Sequence, residues 1–319
     1  MSPSPPLALI IGSDGQDGVL LSALLRNEGW TVVAMGRRMM TLPDGSEKHG
    51  VDITNSASIG QFIAELRPTH IFYLAAYNGS TERRSQISYV DSVSGCLSVN
   101  LTGFANVLSG ASKIEQRPRI LYAASSHAFG IPDDVPQNEM TAFRPLTPYG
   151  ITKAAGVRLC ASYRHNAGMF VAAAILYNHE SPLRSQDYIT QKIATAAAAA
   201  ARGSRAKIQV RSLSSRVDWG AAEDYVAAMA LILQQDVPDD YIVASGQAHS
   251  VADFAQIAYD RVGLDWKEYV EEYPNAVVTS GPELVGDATK LKRLTGWQPK
   301  HSFNDLVFQM VDAALARQP

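Results

Sequence analysis

Leu7-Ala8-Leu9-Ile10-Ile11-Gly12-Ser13-Asp14-Gly15-Gln16-Asp17-Gly18 decides the fold. Five apolar residues in a row read as a strand buried on both faces. Glycines at 12, 15 and 18 follow, and the apolar-periodic run Val19 to Leu25 reads as a helix. Strand, GxxGxxG and helix in that order form a dinucleotide turn. Glycine lets the backbone approach a pyrophosphate, and the helix N-terminus faces its charge. Gly12, Gly15, Gln16, Asp17 and Gly18 are therefore assigned to a cofactor.

Outward from that turn, strands and helices alternate. A second strand is predicted over Thr31 to Met35, ending at Gly36-Arg37-Arg38. A carboxylate at this place would select the ribose 2′-hydroxyl of NAD. Here no acid occurs, and guanidinium groups suit a 2′-phosphate. NADP is expected rather than NAD, held by Arg37 and Arg38. Gly50 to Ile53 reads as a short strand whose Asp52 and Ile53 reach the adenine side, followed by a helix from about Ala57 to Leu66. His70 to Ala76 (HIFYLAA) reads as a buried strand, with Leu74, Ala75 and Ala76 at its cofactor end. Further elements are a long helix over Val90 to Lys113 containing Asn100, a strand over Arg119 to Ala124, a helix opened by Pro148, and a strand over Val171 to Tyr177. Alternation of this kind predicts the α/β class, a Rossmann-like doubly wound parallel sheet with a smaller C-terminal substrate-binding region. Residues 1–177 are expected to be the dinucleotide domain, with part of 217–245 returning to it. Residues 178–319 form most of the second region. There Asn178 to Arg184 reads as a polar loop, Ile189 to Ala201 as an alanine-rich helix that packs closely on a neighbour, and Phe303 to Ala314 as a final amphipathic helix.

Pro148-Tyr149-Gly150-Ile151-Thr152-Lys153 carries the chemistry. Thr147 suits a helix cap and Pro148 its first position. Tyr149 and Lys153, four residues apart, then share one helix face. A nearby ammonium is expected to lower the tyrosine pKa and make the pair a proton shuttle near neutral pH.

The bulk numbers fit one large or two ordinary globular domains. The chain has 319 residues, 46% of them hydrophobic and 18% charged, with net charge −3. No clustered positive charge calls for nucleic acid or an anionic membrane. No apolar stretch nears membrane-spanning length, and the N-terminus has no signal-peptide pattern. Cys96 and Cys160 stand far apart, so neither a disulfide framework nor a metal site is expected, and a cytoplasmic setting is.

Glycine turn, serine-tipped strand and YxxxK occur in the order used by extended short-chain dehydrogenases/reductases. Gly15 to Gly18 (GQDG), Leu176 to Arg184 (LYNHESPLR), Ile189 to Ile193 (ITQKI), Asp218 to Val226 (DWGAAEDYV), Ala244 to Val251 (ASGQAHSV) and Gly286 to Pro299 (GDATKLKRLTGWQP) resemble the GDP-mannose 4,6-dehydratase family over nearly the whole chain. The resemblance implies oxidation of a nucleotide-linked sugar at C4. Tyr149 would take the hydroxyl proton, Lys153 would hold the nicotinamide ribose, and Ser125 would hydrogen-bond the substrate oxygen. In a dehydratase a base then removes the C5 proton and water leaves C6. The resemblance places Ser126, Asn178, Glu180, Arg184, Lys192, Arg211 and Arg216 on the substrate side. A homodimer through the Val90 and Tyr149 helices is implied as well.

Three departures bear on function. The family's glutamate after the serine pair is His127 here; a neutral imidazole can be a base near pH 7. The family's arginine before Asp-Trp-Gly is Val217, with Arg216 one place earlier. An arginine expected before Gly286 is missing. The alternatives are a 4-epimerase, or a reductase or dehydrogenase acting at C4 without dehydration. A non-catalytic cofactor-binding regulator is a third, of another class.

Overall fold

The computed structural model describes residues 5–41, 47–78, 88–274 and 283–317. The first half comprises β1 (Leu7–Ile11), α1 (Gln16–Asn27), β2 (Thr31–Gly36), β3 (Met40–Thr41), β4 (Glu47–Gly50), α2 (Ser56–Leu66) and β5 (His70–Tyr73). Next come α3 (Tyr89–Cys96), a π-helical stretch Leu97–Gly103, α4 (Phe104–Ser112), β6 (Arg119–Ser125), α5 (Pro148–Ala167) and β7 (Val171–Leu176). The remainder holds β8 (Asn178–Glu180), α6 (Ile189–Ala201), β9 (Ile208–Val210), β10 (Arg216–Ala221), α7 (Ala222–Leu233), β11 (Asp240–Val243), β12 (Ala248–Ser250), α8 (Val251–Asp260), β13 (Val270–Glu272), α9 (Thr289–Thr295) and α10 (Phe303–Ala316).

The main sheet has the order β11-β7-β6-β5-β1-β2-β4-β3. Seven of its strands are parallel, and short β3 runs antiparallel to β4. The chain builds outward from β1 through β2 to β4, then crosses back to β5 on β1's other side. Strand order therefore reverses beside β1, and ligands of such sheets bind at the carboxyl ends of the strands there. That is where Gly12 follows β1.

Two apolar clusters hold the protein together. The larger takes the inner strands, for example Leu9, Phe72, Leu121 and Ala173, with α7, β11, Leu291 and Trp297 packed onto it. The smaller joins Ile193, Ala194 and Ala197 of α6 to Phe254, Tyr259, Val307 and Met310. The alanines let α6 lie close against α10, which is the close packing expected of that run. The chain returns to the larger cluster at Tyr225, in α7, and α9 joins it through Leu291.

Several elements differ from the sequence reading. Gly50 ends its strand instead of opening one, because Asp52 accepts from the amide and hydroxyl of Thr54 and turns the chain. The HIFYLAA strand stops at Tyr73; Leu74 still donates to Ile11 O, but Ala75 and Ala76 leave the sheet. The long helix is interrupted by the π-helical stretch around Asn100. Asn178 to Glu180, read as loop, is a strand paired in parallel with β10. Its Asn-His-Glu sequence lacks apolar alternation, since partners elsewhere in the chain satisfy its polar side chains.

Candidate active site

The glycine turn is pressed tightly between neighbours. Gly12 has φ of 94°, and a Cβ there would stand 2.6 Å from the Ala75 nitrogen. A Cβ on Gly18 would meet Gly12 O at 2.5 Å. Gly15 precedes α1 and offers no side chain to its first amides. The Ser13 hydroxyl beside them is buried without a partner. Arg37 and Arg38 lie exposed in the bend after β2, and Asp52 follows β4. Ile53 packs under Gly103.

Beside this turn, β6 brings in the second group. Thr147 caps α5 by accepting from the Gly150 amide, and Pro148 holds the first position. Ser125 ends β6 and caps the 3₁₀ turn Ser126–Ala128, its hydroxyl accepting from the His127 amide at 3.3 Å. That turn rests on the start of α5 so closely that a Cβ on Gly150 would come within 2.4 Å of His127 O. Ser125, His127 and Tyr149 converge in consequence. The rings of His127 and Tyr149 meet edge to face, centroids 5.8 Å apart. Ser126 is buried beneath them.

Lys153 departs from the sequence expectation. Its ammonium is buried and donates to Ala123 O at 2.6 Å, 4.9 Å from the Tyr122 ring centroid. Burial draws its pKa down to about 7. Tyr149 is not lowered either. Burial pushes it up to about 12, against the pull of a hydrogen bond from Ser125 and the charge of Arg184. The Lys153 ammonium, held by the Ala123 carbonyl, stands 5.6 Å from the Tyr149 ring centroid, and burial of the phenol outweighs the help a nearby cation gives its phenolate. Asn100 is a residue that sequence reasoning left without a role. Its buried amide accepts from Tyr77 N at 2.7 Å and donates to Thr152 at 3.1 Å, fixing the chain after β5 against α5.

The substrate-side residues divide. Glu180 is buried, accepts from Thr190 at 2.7 Å and ion-pairs with Arg184 at 3.0 Å. The Arg184 guanidinium lies over the Tyr188 ring at 3.7 Å, and its charge acts on both Tyr149 and Asp17. Asn178 is in β8 beside them. Lys192 is farther off, lining a cavity of about 440 Å³ with Thr195, Ile208, Gln209 and Tyr273. Arg211 is exposed, and Arg216 donates to Glu283 and Ala248 O. Gln16 and Asp17 reach away from the turn toward His179 and Ser181. The assignment of these two side chains to a cofactor missed that link, since residues so far apart in sequence give no local signal of contact. Tyr188 was also missed. Among the described residues no group of three or more His, Cys, Asp or Glu could hold a metal ion.

The family model of GDP-mannose 4,6 dehydratase matches residues 9–310. The chain belongs to the GDP-mannose 4,6-dehydratase family. It is 34% identical to GDP-mannose 4,6 dehydratase 2 of Arabidopsis thaliana, over 97% of this chain and 87% of that protein. It is 31% identical to GDP-mannose 4,6-dehydratase of Sinorhizobium fredii (strain HH103), over 96% and 95%. Its fold is similar to that of RMD from Pseudomonas aeruginosa complexed with NADPH, with a TM-score of 0.83 at 21% identity over 98% and 99% of the chains. It is equally similar to Thermus thermophilus UDP-glucose 4-epimerase complexed with NAD, with a TM-score of 0.83 at 21% identity over 97% and 99%. This member of the family is an enzyme of the extended short-chain dehydrogenase/reductase type.

Proposed function

We propose that the protein removes water from a nucleotide-linked hexose through transient oxidation at C4, with a tightly held dinucleotide, NADP by preference, and His127 as the base. The observation that carries this reading is the convergence of Ser125, His127 and Tyr149 beside buried Lys153, at the carboxyl edge of the parallel strands. The turn fits a dinucleotide: Gly12 and Gly18, which tolerate no Cβ, uncapped first-turn amides and an unpartnered Ser13 hydroxyl make an anion cradle. Arg37 and Arg38, exposed in the bend after β2, would pair with a 2′-phosphate. In this reading Asp52 and Ile53, then Leu74, Ala75 and Ala76, would border the bound dinucleotide.

The bound dinucleotide supplies a hydride acceptor for C4 and afterwards a donor for C6. The protein does the proton work. Tyr149, once its own phenol proton has been relayed out past Lys153, accepts the C4 hydroxyl proton while Ser125 holds the oxygen that becomes carbonyl. Lys153 stands beneath the tyrosine with a proton it loses near pH 7. The 4-keto group acidifies C5. His127, as neutral imidazole, takes the C5 proton and, as imidazolium, gives it to the departing C6 hydroxyl. C5 takes a proton back from solvent as C6 receives hydride, and Tyr149 releases the C4 hydroxyl proton to solvent, so one water is lost and no cofactor is consumed. Arg184 and Lys192 neutralise the sugar nucleotide's diphosphate. Exposed Tyr89 and Val90 of α3, Leu97 of the π-helical stretch and Ile151 of α5 offer apolar surface, and this supports a homodimer.

A second reading rests on His127 itself. Without a carboxylate at that position, C4 chemistry can end in epimerisation or reduction. A panel of nucleotide sugars with NADP(H), read by mass, separates the outcomes. A product lighter by one water with no net NADPH change marks dehydration. Equal mass marks epimerisation, and consumption of NADPH marks reduction. His127→Ala should lower a dehydratase activity at least about a hundredfold while leaving NADPH binding intact. An unchanged rate would remove His127 from the role of base.

A further inference from the structure

A buried polar link between the two parts of the site is not used by the chemistry above. His179 Nδ1 lies 2.7 Å from Tyr177 O, a group that only accepts. Its Nε2 lies 3.0 Å from each oxygen of Asp17. Both nitrogens face acceptors, so the ring carries two protons and Asp17 is its counter-ion. Burial works against both charges, yet each outweighs that for the other: His179 is held above its ordinary range and Asp17 below the usual carboxylate range. Gln16 reinforces the link, donating to His179 O at 3.0 Å and accepting from the Ser181 hydroxyl at 2.8 Å. His179 also stacks on Tyr225 at 4.7 Å.

Position gives this link its meaning. Gln16 and Asp17 open α1, where the positive end of the helix dipole favours an anion. An unpaired carboxylate there would repel a diphosphate within a few ångströms. His179 cancels that charge. On its other side His179 belongs to β8, whose next residue, Glu180, holds Arg184, which reaches the Tyr149 hydroxyl by its field.

We infer that the buried Asp17–His179 ion pair couples dinucleotide occupancy of the glycine turn to the placement of the Asn178–Arg184 segment beside Tyr149, so that cofactor binding orders the substrate side. His179 is thus a positioning residue, and Asp17 serves His179 rather than the dinucleotide. The inference rests on the proposal that this turn holds NADP(H).

The test reads NADPH affinity by fluorescence titration and backbone hydrogen exchange over residues 178–188, with and without saturating NADPH. In the wild type, NADPH should slow exchange in that segment at least about fivefold. His179→Gln leaves the Asp17 charge facing the diphosphate and should weaken NADPH at least about tenfold. Asp17→Asn/His179→Gln should recover wild-type affinity to within about threefold. Asp17→Asn alone, which keeps the side-chain shape and covers the case in which His179→Gln does not fold, should bind NADPH no more weakly than wild type yet lose the exchange protection. Weaker binding by Asp17→Asn, unchanged binding by a folded His179→Gln, or no NADPH-dependent protection in the wild type overturns the coupling alone. A wild type that binds neither NADPH nor NADH overturns the cofactor proposal, and the coupling with it.

Discussion

At the residue scale the site is defined by two strained titrations. Tyr149 near 12 is almost wholly protonated at neutral pH, and Lys153 near 7 is only about half charged there. Both values have one cause, burial of groups that only a bound ligand could reward. Lys153 has its ordinary value of 10.5 in the unfolded chain and about 7 in the fold. A lysine depressed in this way costs stability. The cost is absent above the unfolded value, grows as pH falls toward 7, and is full below it. Lys153→Met should therefore raise unfolding free energy by about 2 kcal/mol at pH 7, with the gain shrinking toward pH 10. Urea titrations at the two pH values measure this. Equal stability of variant and wild type at pH 7 would mean that the ammonium is better solvated than its surroundings indicate.

At the element scale, close approach sets the geometry. α5 can lie on β6 because Gly156 has no side chain; a Cβ there would stand 2.3 Å from the Tyr122 ring. That ring lies beneath the Lys153 ammonium and donates its hydroxyl to Asn100 O at 3.0 Å. Gly156→Ala must push the helix or the ring aside, an overpacking worth about 2 kcal/mol. It should also displace Lys153 and Tyr149 together, lowering kcat more than it raises KM. Thermal unfolding and steady-state rates would report it. β8 teaches the converse lesson. Its strand geometry comes from pairing with β10, and its polar side chains are satisfied by Asp17, Thr190 and Arg184.

At the scale of the whole molecule, the order reversal beside β1 places the cofactor turn, the β6 tip and the start of α5 at one edge of the sheet. The second cluster holds α6 and β9 together, with the cavity lined by Lys192 between them. The outer faces of α3 and α5, which pack side by side, leave Tyr89, Val90 and Ile151 uncovered. If two copies meet there, Val90→Glu/Ile151→Glu should halve the mass seen in light scattering while leaving the circular dichroism unchanged. A wild type that is monomeric at micromolar concentration would refute this interface.

By itself the sequence determined the sheet, the glycine turn and the Tyr149 helix. Buried runs, glycine spacing, Thr147 and Pro148 are local signals, and local sterics and hydrogen bonding enforce them. Tertiary structure alone decided where charge resides. Sequence spacing put Lys153 on the same helix face as Tyr149, but the carbonyl of Ala123 on a distant strand took its ammonium. Gln16 and Asp17 stood in a cofactor motif, but His179 and Ser181, more than a hundred and fifty residues away, claimed their side chains. Desolvation and partner choice depend on what the fold packs around a group, and no spacing along the chain encodes that.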